Sequence, residues 1–249
     1  MHIYAIGDIH GQLGLLQDMH DRIARDQDRH GPGLIVHLGD YVDRGPDSRG
    51  VVDYLMRGMA EGRNWLVLMG NHDRMFTGFL NDPHWQDPGL RSELSWLHWK
   101  LGGAATLASY GVPNAADRPV AKVHAEAVAA VPVEHRRFLE ALPDRHQAGE
   151  AIFVHAGLRP GIPLAEQSQT DLVWIRQGFL DLRTDHGALV VHGHTAIDQP
   201  THYGNRLNLD SGAAYGGPLT GAVIRGRDAW VLGRDGRHRL PVTPEAPDR

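Results

Sequence analysis

The stretch Ile3-Tyr4-Ala5-Ile6-Gly7-Asp8-Ile9-His10-Gly11 carries both a fold signal and a chemical one. Four apolar residues have the length and composition of a buried strand, and they run into a glycine turn bearing a carboxylate and an imidazole. The same syntax returns in Leu34-Ile35-Val36-His37-Leu38-Gly39-Asp40-Tyr41-Val42-Asp43-Arg44-Gly45 and in Trp65-Leu66-Val67-Leu68-Met69-Gly70-Asn71-His72-Asp73. It returns again in Ala151-Ile152-Phe153-Val154-His155-Ala156-Gly157 and in Ala188-Leu189-Val190-Val191-His192-Gly193-His194-Thr195. In α/β sheets a ligand sits in the crevice outside the carboxyl ends of the strands, so all five turns can face one site.

Between the first two runs, Leu13, Leu16, Met19 and Ile23 recur at helical spacing. After the second, Pro46-Asp47-Ser48 supplies a helix start ahead of Val52, Leu55, Met56 and Met59. Residues 1–75 therefore read β-α-β-α-β. Residues 76–148 differ: Trp85, Trp96 and Trp99 lie among prolines and polar residues, followed by Leu94, Leu97 and Leu101 and then Phe138, Leu139 and Leu142. This pattern predicts a mainly helical insertion. Residues 206–210, 219–225 and 229–232 read as short strands between glycine-rich turns, forming a second sheet, and the tail from Pro241 reads as frayed.

The 249 residues carry no repeat or dividing linker, so a single domain over residues 1–249 is expected. The balance of 25 Lys+Arg against 30 Asp+Glu, a formal charge of −5, argues against a nucleic-acid surface. No apolar run reaches the roughly 18 residues a membrane helix needs, and a strand beginning at His2 leaves no room for a targeting peptide. The expectation is a cytoplasmic protein with neither nucleic acid nor membrane as partner; nothing in the sequence speaks to oligomeric state. With no cysteine, thiolate nucleophiles and thiolate metal sites are excluded, and any metal must be held by oxygen and imidazole.

The turns gather Asp8, Asp40, Asp43 and Asp73, the imidazoles of His10, His72, His155, His192 and His194, the amide of Asn71 and the guanidinium of Arg44. Carboxylate and imidazole sets without sulfur suit Mn, Fe or Zn. Two such ions about 3.5–4 Å apart need a shared oxygen ligand, and together activate water and clamp a phosphoryl displacement. The inventory suits two divalent ions better than one.

In this order, Gly-Asp-Ile-His-Gly, Gly-Asp-Tyr-Val-Asp-Arg-Gly, Gly-Asn-His-Asp, His-Ala-Gly and Gly-His-Thr resemble the motifs of the phosphoprotein phosphatase (PPP) family of binuclear metallophosphatases. The segments Leu107-Ala108-Ser109-Tyr110-Gly111 and Asp171-Leu172-Val173-Trp174-Ile175-Arg176, with residues 205–217, resemble its bacterial branch of serine/threonine/tyrosine protein phosphatases and diadenosine tetraphosphate hydrolases.

The resemblance implies an α/β/β/α sandwich of two mixed sheets flanked by helices. It implies Asp8 and His10 as ligands of one metal, Asp40 as the bridge, and Asn71, His155 and His194 as ligands of the other, with Mn favoured over Fe or Zn. It further implies His72 as the acid that protonates the leaving oxygen, Asp43 as its orienting partner, and Arg44, Asn71 and Arg176 as the phosphate contacts. The implied activity is hydrolysis of phosphomonoesters by a metal-bridging hydroxide, on phosphoproteins or small phosphoesters. A dinucleoside tetraphosphate hydrolase and a non-catalytic metal-bound scaffold are the alternatives, the second opposed by the retention of His72, Asp43 and Arg44. Two departures stand out: Asp73 where many relatives have Glu, and Ala196 where the wider superfamily often has His.

Outside the motifs, His37 reads as a packed histidine, and Trp85, Trp96 and Trp99 read as core. Periodicity leaves open which of His192 and His194 faces the metals, since residues two apart on a strand point the same way; the resemblance points to His194.

Overall fold

In the computed structural model, which describes residues 2–243, the apolar runs become short buried strands. The order is β1 (Ile3–Ile6), α1 (Leu13–His30), β2 (Leu34–His37), α2 (Ser48–Ala60), β3 (Trp65–Val67), α3 (Asn71–Asn81), α4 (Gly103–Ser109), α5 (Val120–Ala130) and α6 (Val133–Glu140). There follow β4 (Arg145–Ala148), β5 (Ala151–Val154), α7 (Gln169–Trp174), β6 (Leu189–His192), β7 (Thr201–His202), β8 (Arg206–Asn208), β9 (Gly221–Arg225), β10 (Asp228–Leu232) and β11 (Arg237–Leu240). Where the sequence supplies a cap, the helix uses it: the Asp47 side chain accepts the Gly50 N–H at 2.8 Å to start α2.

Six strands form one sheet in the order β11-β10-β9-β1-β2-β3, and five form the other in the order β4-β5-β6-β8-β7. β1 runs parallel to β2, with Ile3 opposite Leu34, and antiparallel to β9, with Ile3 opposite Ile224. Alternation along β1 then assigns each face. Ile3 and Ala5 point between the sheets, where Val36, Leu38 and Leu68 meet Phe153, Val191 and Leu207. Tyr4 and Ile6 point the other way, into a core with Leu16, Met19, Ile23, Val52 and Leu55 of α1 and α2. On the far side of the second sheet, Ile152, Val154 and Val190 pack against Leu172, Ile175 and Phe179. Each such side chain contributes about 1.5–3 kcal/mol by leaving water. The layers are helix, sheet, sheet, helix: an α/β/β/α sandwich of two mixed sheets.

Three sequence expectations need correction. The strands after residue 205 do not form one second sheet: β8 joins β6, but β9 and β10 return to the first sheet and extend it beyond β1. The chain does not fray at Pro241, because Val242 bridges to His202 and the Thr243 N–H donates to the His202 carbonyl at 2.7 Å; residues 244–249 lie outside those described. Of the three tryptophans read as core only Trp96 is buried, while Trp85 is 37% and Trp99 77% exposed. Residues 76–148 hold most of α3, all of α4, α5 and α6, and β4. Among the described residues no helix is long and apolar enough to cross a membrane.

Candidate metal centre

The turns after β1, β2, β3, β5 and β6 converge, and they do so through unusual backbone. Among the described residues the non-glycine positions with φ between 45° and 73° are His10, Asp40, Asp43, Arg44, Asn114 and His194, all but Asn114 from the motif turns. Such left-handed conformations cost about 1–2 kcal/mol each and persist only where the surroundings hold them. Asp73 supplies much of that hold. Its Oδ2 accepts the N–H of Asp40 and of Gly70, and its Oδ1 that of Tyr41, all at 2.9 Å. The shorter arm at this position thus clamps the β2 turn to the first turn of α3.

Two groups of buried donors share one carboxylate. Ligand-type atoms of His10, Asp40 and His72 lie within 4.8 Å of one another, as do those of Asp40, His155 and His194. His10 is aimed by its Nδ1–H, which donates to the Val42 carbonyl at 2.7 Å and leaves Nε2 facing Asp40 Oδ2 at 3.4 Å. His155 donates from Nδ1 to the Leu38 carbonyl at 2.8 Å and from Nε2 to Asn71 Oδ1 at 2.9 Å. His194 Nε2 is buried with no hydrogen-bond partner among the described residues. Asp8 stands apart from both groups. Its two oxygens accept the His194 N–H at 3.1 Å each, and Gly193 leaves them room, since a Cβ there would lie 1.9 Å from Asp8 Oδ1.

The electrostatics ask for a cation. Burial, reinforced by neighbouring Asp210, pushes the Asp8 carboxyl well above its usual range. Burial opposes ionisation of Asp40 too, but His155 and His72 beside it override that and hold it well below. Burial and then the Arg44 charge bring His10 down to about 3, and burial followed by the His155 charge takes His194 well below the usual imidazole value. Only His155 moves the other way: burial resists, but Asp40 and Asp8 raise it to about 9, so its proton supplies the positive charge the carboxylates lack. Neutral imidazoles at His10 and His194, around carboxylates short of counter-charge, fit a pair of divalent ions that displace that proton.

The cleft above them measures about 220 Å³ and is lined by His10, Asp40, Arg44, Asn71, His72 and Arg176 among others. The Arg44 guanidinium reaches His10 Nε2 and stacks 5.3 Å from the Tyr215 ring centre. Arg176 donates to the His194 carbonyl at 3.4 Å. Opposite, His72 Nδ1 donates to Asp43 Oδ2 at 2.6 Å, leaving Nε2 toward the site. His10, Asp40, Arg44, Asn71, His72, Arg176 and His194 thus line one cleft, while Asp43, His155 and Asp8 reach it through their bonds to His72, Asn71 and the His194 N–H. His192 does not: it packs against Phe179, its Nδ1 lies 3.0 Å from the Gly193 carbonyl, and its Nε2 faces Arg206 at 3.4 Å. His37 is packed as expected, between the Leu66 carbonyl and His20. A larger cavity of about 430 Å³ beside α1 and α2, lined by His20, Tyr54, Arg57 and Trp65, contains none of the predicted residues.

Sequence reasoning gave no site role to Asp210, Tyr215, Trp96 or Thr106. Asp210 carried a signal, because Leu207-Asn208-Leu209-Asp210-Ser211-Gly212 repeats the strand-then-turn syntax of the other motifs. Trp96 and Thr106 carried none, since their contacts with Asp43 depend on how the insertion folds back.

A two-sheet sandwich whose strand ends gather two carboxylate-bridged imidazole groups beside two guanidiniums defines a metallophosphoesterase. The chain belongs to the calcineurin-like phosphoesterase family, whose pattern it matches over residues 1–211. It is 26% identical over 233 residues to the serine/threonine-protein phosphatase 1 of Salmonella typhimurium, covering 90% of this chain and 92% of that protein. It is 23% identical over 245 residues to the asymmetrical bis(5'-nucleosyl)-tetraphosphatase PrpE of Geobacillus thermodenitrificans, covering 88% and 89%. In fold it is similar to the cold-active protein-tyrosine phosphatase of a psychrophilic Shewanella, with a TM-score of 0.58 at 16% identity over 96% of this chain and 80% of that one. The chain is a hydrolase of phosphoesters.

Proposed function

We propose that this enzyme is a phosphomonoesterase acting on phosphorylated serine and threonine side chains, with phosphotyrosine as a further substrate. Asp8, His10 and Asp40 would hold one divalent ion, and Asp40, Asn71, His155 and His194 the other. Manganese is the ion proposed; iron and zinc suit the same donors. When bound, the pair supplies an activated water and a positive clamp on the phosphoryl oxygens. Arg44, Arg176 and Asn71 bind the phosphoryl group, the guanidiniums offering forked donors to its oxygens.

His72 protonates the leaving oxygen from Nε2, and Asp43 fixes the ring through Nδ1. Burial depresses His72 to about 3 without substrate, and a phosphate dianion seated beside Nε2 raises it again. Both sheets contribute to the core between them, which supports treating residues 1–249 as one domain carrying the helical insertion.

The observation that carries the reading is the sharing of Asp40 by both donor groups in the cleft that Arg44 and Arg176 line. For the substrate, a cleft of about 220 Å³ suits a phosphorylated side chain entering from outside better than a dinucleotide enclosed whole. The test is turnover of a phosphopeptide, p-nitrophenyl phosphate and diadenosine tetraphosphate by one manganese-loaded preparation. Preferred release of phosphate from the peptide supports the reading. Useful turnover of the dinucleotide alone replaces it with a nucleoside polyphosphate hydrolase, and turnover of none leaves a binding scaffold.

A further inference from the structure

We propose that the helical insertion supplies two positioning residues, Trp96 and Thr106, which hold Asp43 so that His72 presents its proton to the leaving oxygen. The inference rests on the reading of His72 as the proton donor.

The Asp43 carboxylate is wholly buried and takes three side-chain donors. Oδ2 accepts His72 Nδ1–H at 2.6 Å and Trp96 Nε1–H at 2.8 Å, and Oδ1 accepts the Thr106 hydroxyl at 2.7 Å. Thr106 acts twice, because its Oγ1 also accepts the Asp43 N–H at 2.7 Å, a bond the Ser48 hydroxyl shares at 3.1 Å. Those bonds hold a backbone at φ +73°, which an aspartate does not keep unaided. Carboxylate plane and backbone are therefore both fixed by residue 106, and the oxygen facing His72 is fixed again by residue 96.

The packing ties the same two residues to the helix that carries His72. His72, Phe76 and Phe79 lie at i, i+4 and i+7 on α3, one face of a helix. The Trp96 ring sits 5.4 Å from the Phe76 ring and 4.8 Å from that of Phe79. Room for the indole exists because residue 103 is glycine: a Cβ there would lie 2.5 Å from Trp96 Cε2. Trp96 thus joins the His72 helix to the Asp43 turn, apolar on one side and hydrogen-bonded on the other. Packing alone would be met by phenylalanine; the donor is what the carboxylate needs.

In the step concerned, the His72 Nε2–H bond breaks as the leaving oxygen gains its proton and the P–O bond opens. Asp43 passes no proton in this step: it keeps the His72 Nδ1–H in place, and its three side-chain donors keep its carboxyl group in place. With a donor removed, the carboxylate turns, the imidazole loses its aim, and leaving groups that need the proton suffer most.

The experiment compares an alkyl phosphomonoester with p-nitrophenyl phosphate, whose leaving group needs little protonation, in manganese-loaded wild type, Trp96→Phe, Thr106→Val, Thr106→Ser, His72→Asn and the Trp96→Phe/His72→Asn double variant. Trp96→Phe and Thr106→Val should lower alkyl turnover about 10–100-fold with little change in KM, and aryl turnover much less. Thr106→Ser, which keeps the hydroxyl, should restore it. Adding Trp96→Phe to His72→Asn should cost little more. In metal-free protein the downfield proton resonance of the His72–Asp43 bond should persist in Thr106→Ser and shift or vanish in Trp96→Phe and Thr106→Val. Equal losses for alkyl and aryl esters in Trp96→Phe and Thr106→Val, with His72→Asn discriminating between them, would overturn the positioning role alone. If His72→Asn itself fails to discriminate, the proton-donor reading falls and this inference with it. Should Trp96→Phe not fold, the Thr106 pair decides the matter.

Discussion

Replacing Gly193 by alanine tests how tightly the cleft is built. The new Cβ would stand 1.9 Å from Asp8 Oδ1 and 3.1 Å from its Cγ, with Asp210 Cβ 3.7 Å away on the same side. Ordinary contact begins near 3.4 Å, so the carboxylate has to withdraw by about 1.5 Å. That takes Oδ1 out of reach of the His194 N–H, which now lies 3.1 Å from each oxygen, and turns the carboxylate away from its present position. A hydrogen bond to a charged group contributes about 1.5–3 kcal/mol, and a misplacement of about 1 Å in an active site costs on the order of 10²-fold in rate. Gly193→Ala should therefore bind less metal per chain and turn over about 10²-fold more slowly, while circular dichroism shows the sandwich intact. Gly14→Ala is the control, since nothing lies within 4 Å of a Cβ there and alanine favours the helix. Metal analysis and phosphate-release kinetics on the two variants give the answer. Wild-type metal content and turnover in Gly193→Ala would refute the close approach of Gly193 to Asp8.

Two more predictions concern the histidines. His194→Ala should empty or severely weaken one metal position, while His192→Ala, which removes a side chain packed against Phe179, should keep both ions at saturating metal; the reverse pattern of metal counts would move the ligand to His192. His155, raised to about 9 in the metal-free protein, stabilises the fold through its protonated form. That contribution is complete below about pH 6.5 and disappears as pH rises through about 9, so the melting temperature of metal-free protein should fall across this window unless His155→Gln removes the dependence. Metal must displace the same proton, and calorimetry in buffers of different ionisation enthalpy should find proton release on loading near pH 7; none would contradict the assignment.

The five strand-and-turn motifs were legible because strand burial and turn chemistry are both local: Ile3 to Ile6 is apolar throughout, and a glycine follows. Sheet membership was not, because nothing within Gly221–Arg225 names its partner β1 at the other end of the chain, whereas β8 pairs with β6 close by in sequence. Polar Arg237–Leu240 gave no strand signal, being an edge strand with half its side chains in solvent. Within the site, residue types were readable and their backbone was not: nothing in Asp40, Asp43 or His194 announces a left-handed conformation imposed by neighbours such as Asp73 and Thr106. The support from Trp96 was hidden for the same reason, since an aromatic residue among other aromatics reads as packing until its nitrogen finds a partner.

The central claim is that Asp40 joins two metal ions in one cleft, and anomalous diffraction from manganese-loaded crystals tests it most directly. The expected result is two manganese peaks, one among Asp8, His10 and Asp40 and the other among Asp40, Asn71, His155 and His194, with the Asp40 carboxylate between them. A single peak, or two peaks that do not share Asp40, would contradict the account.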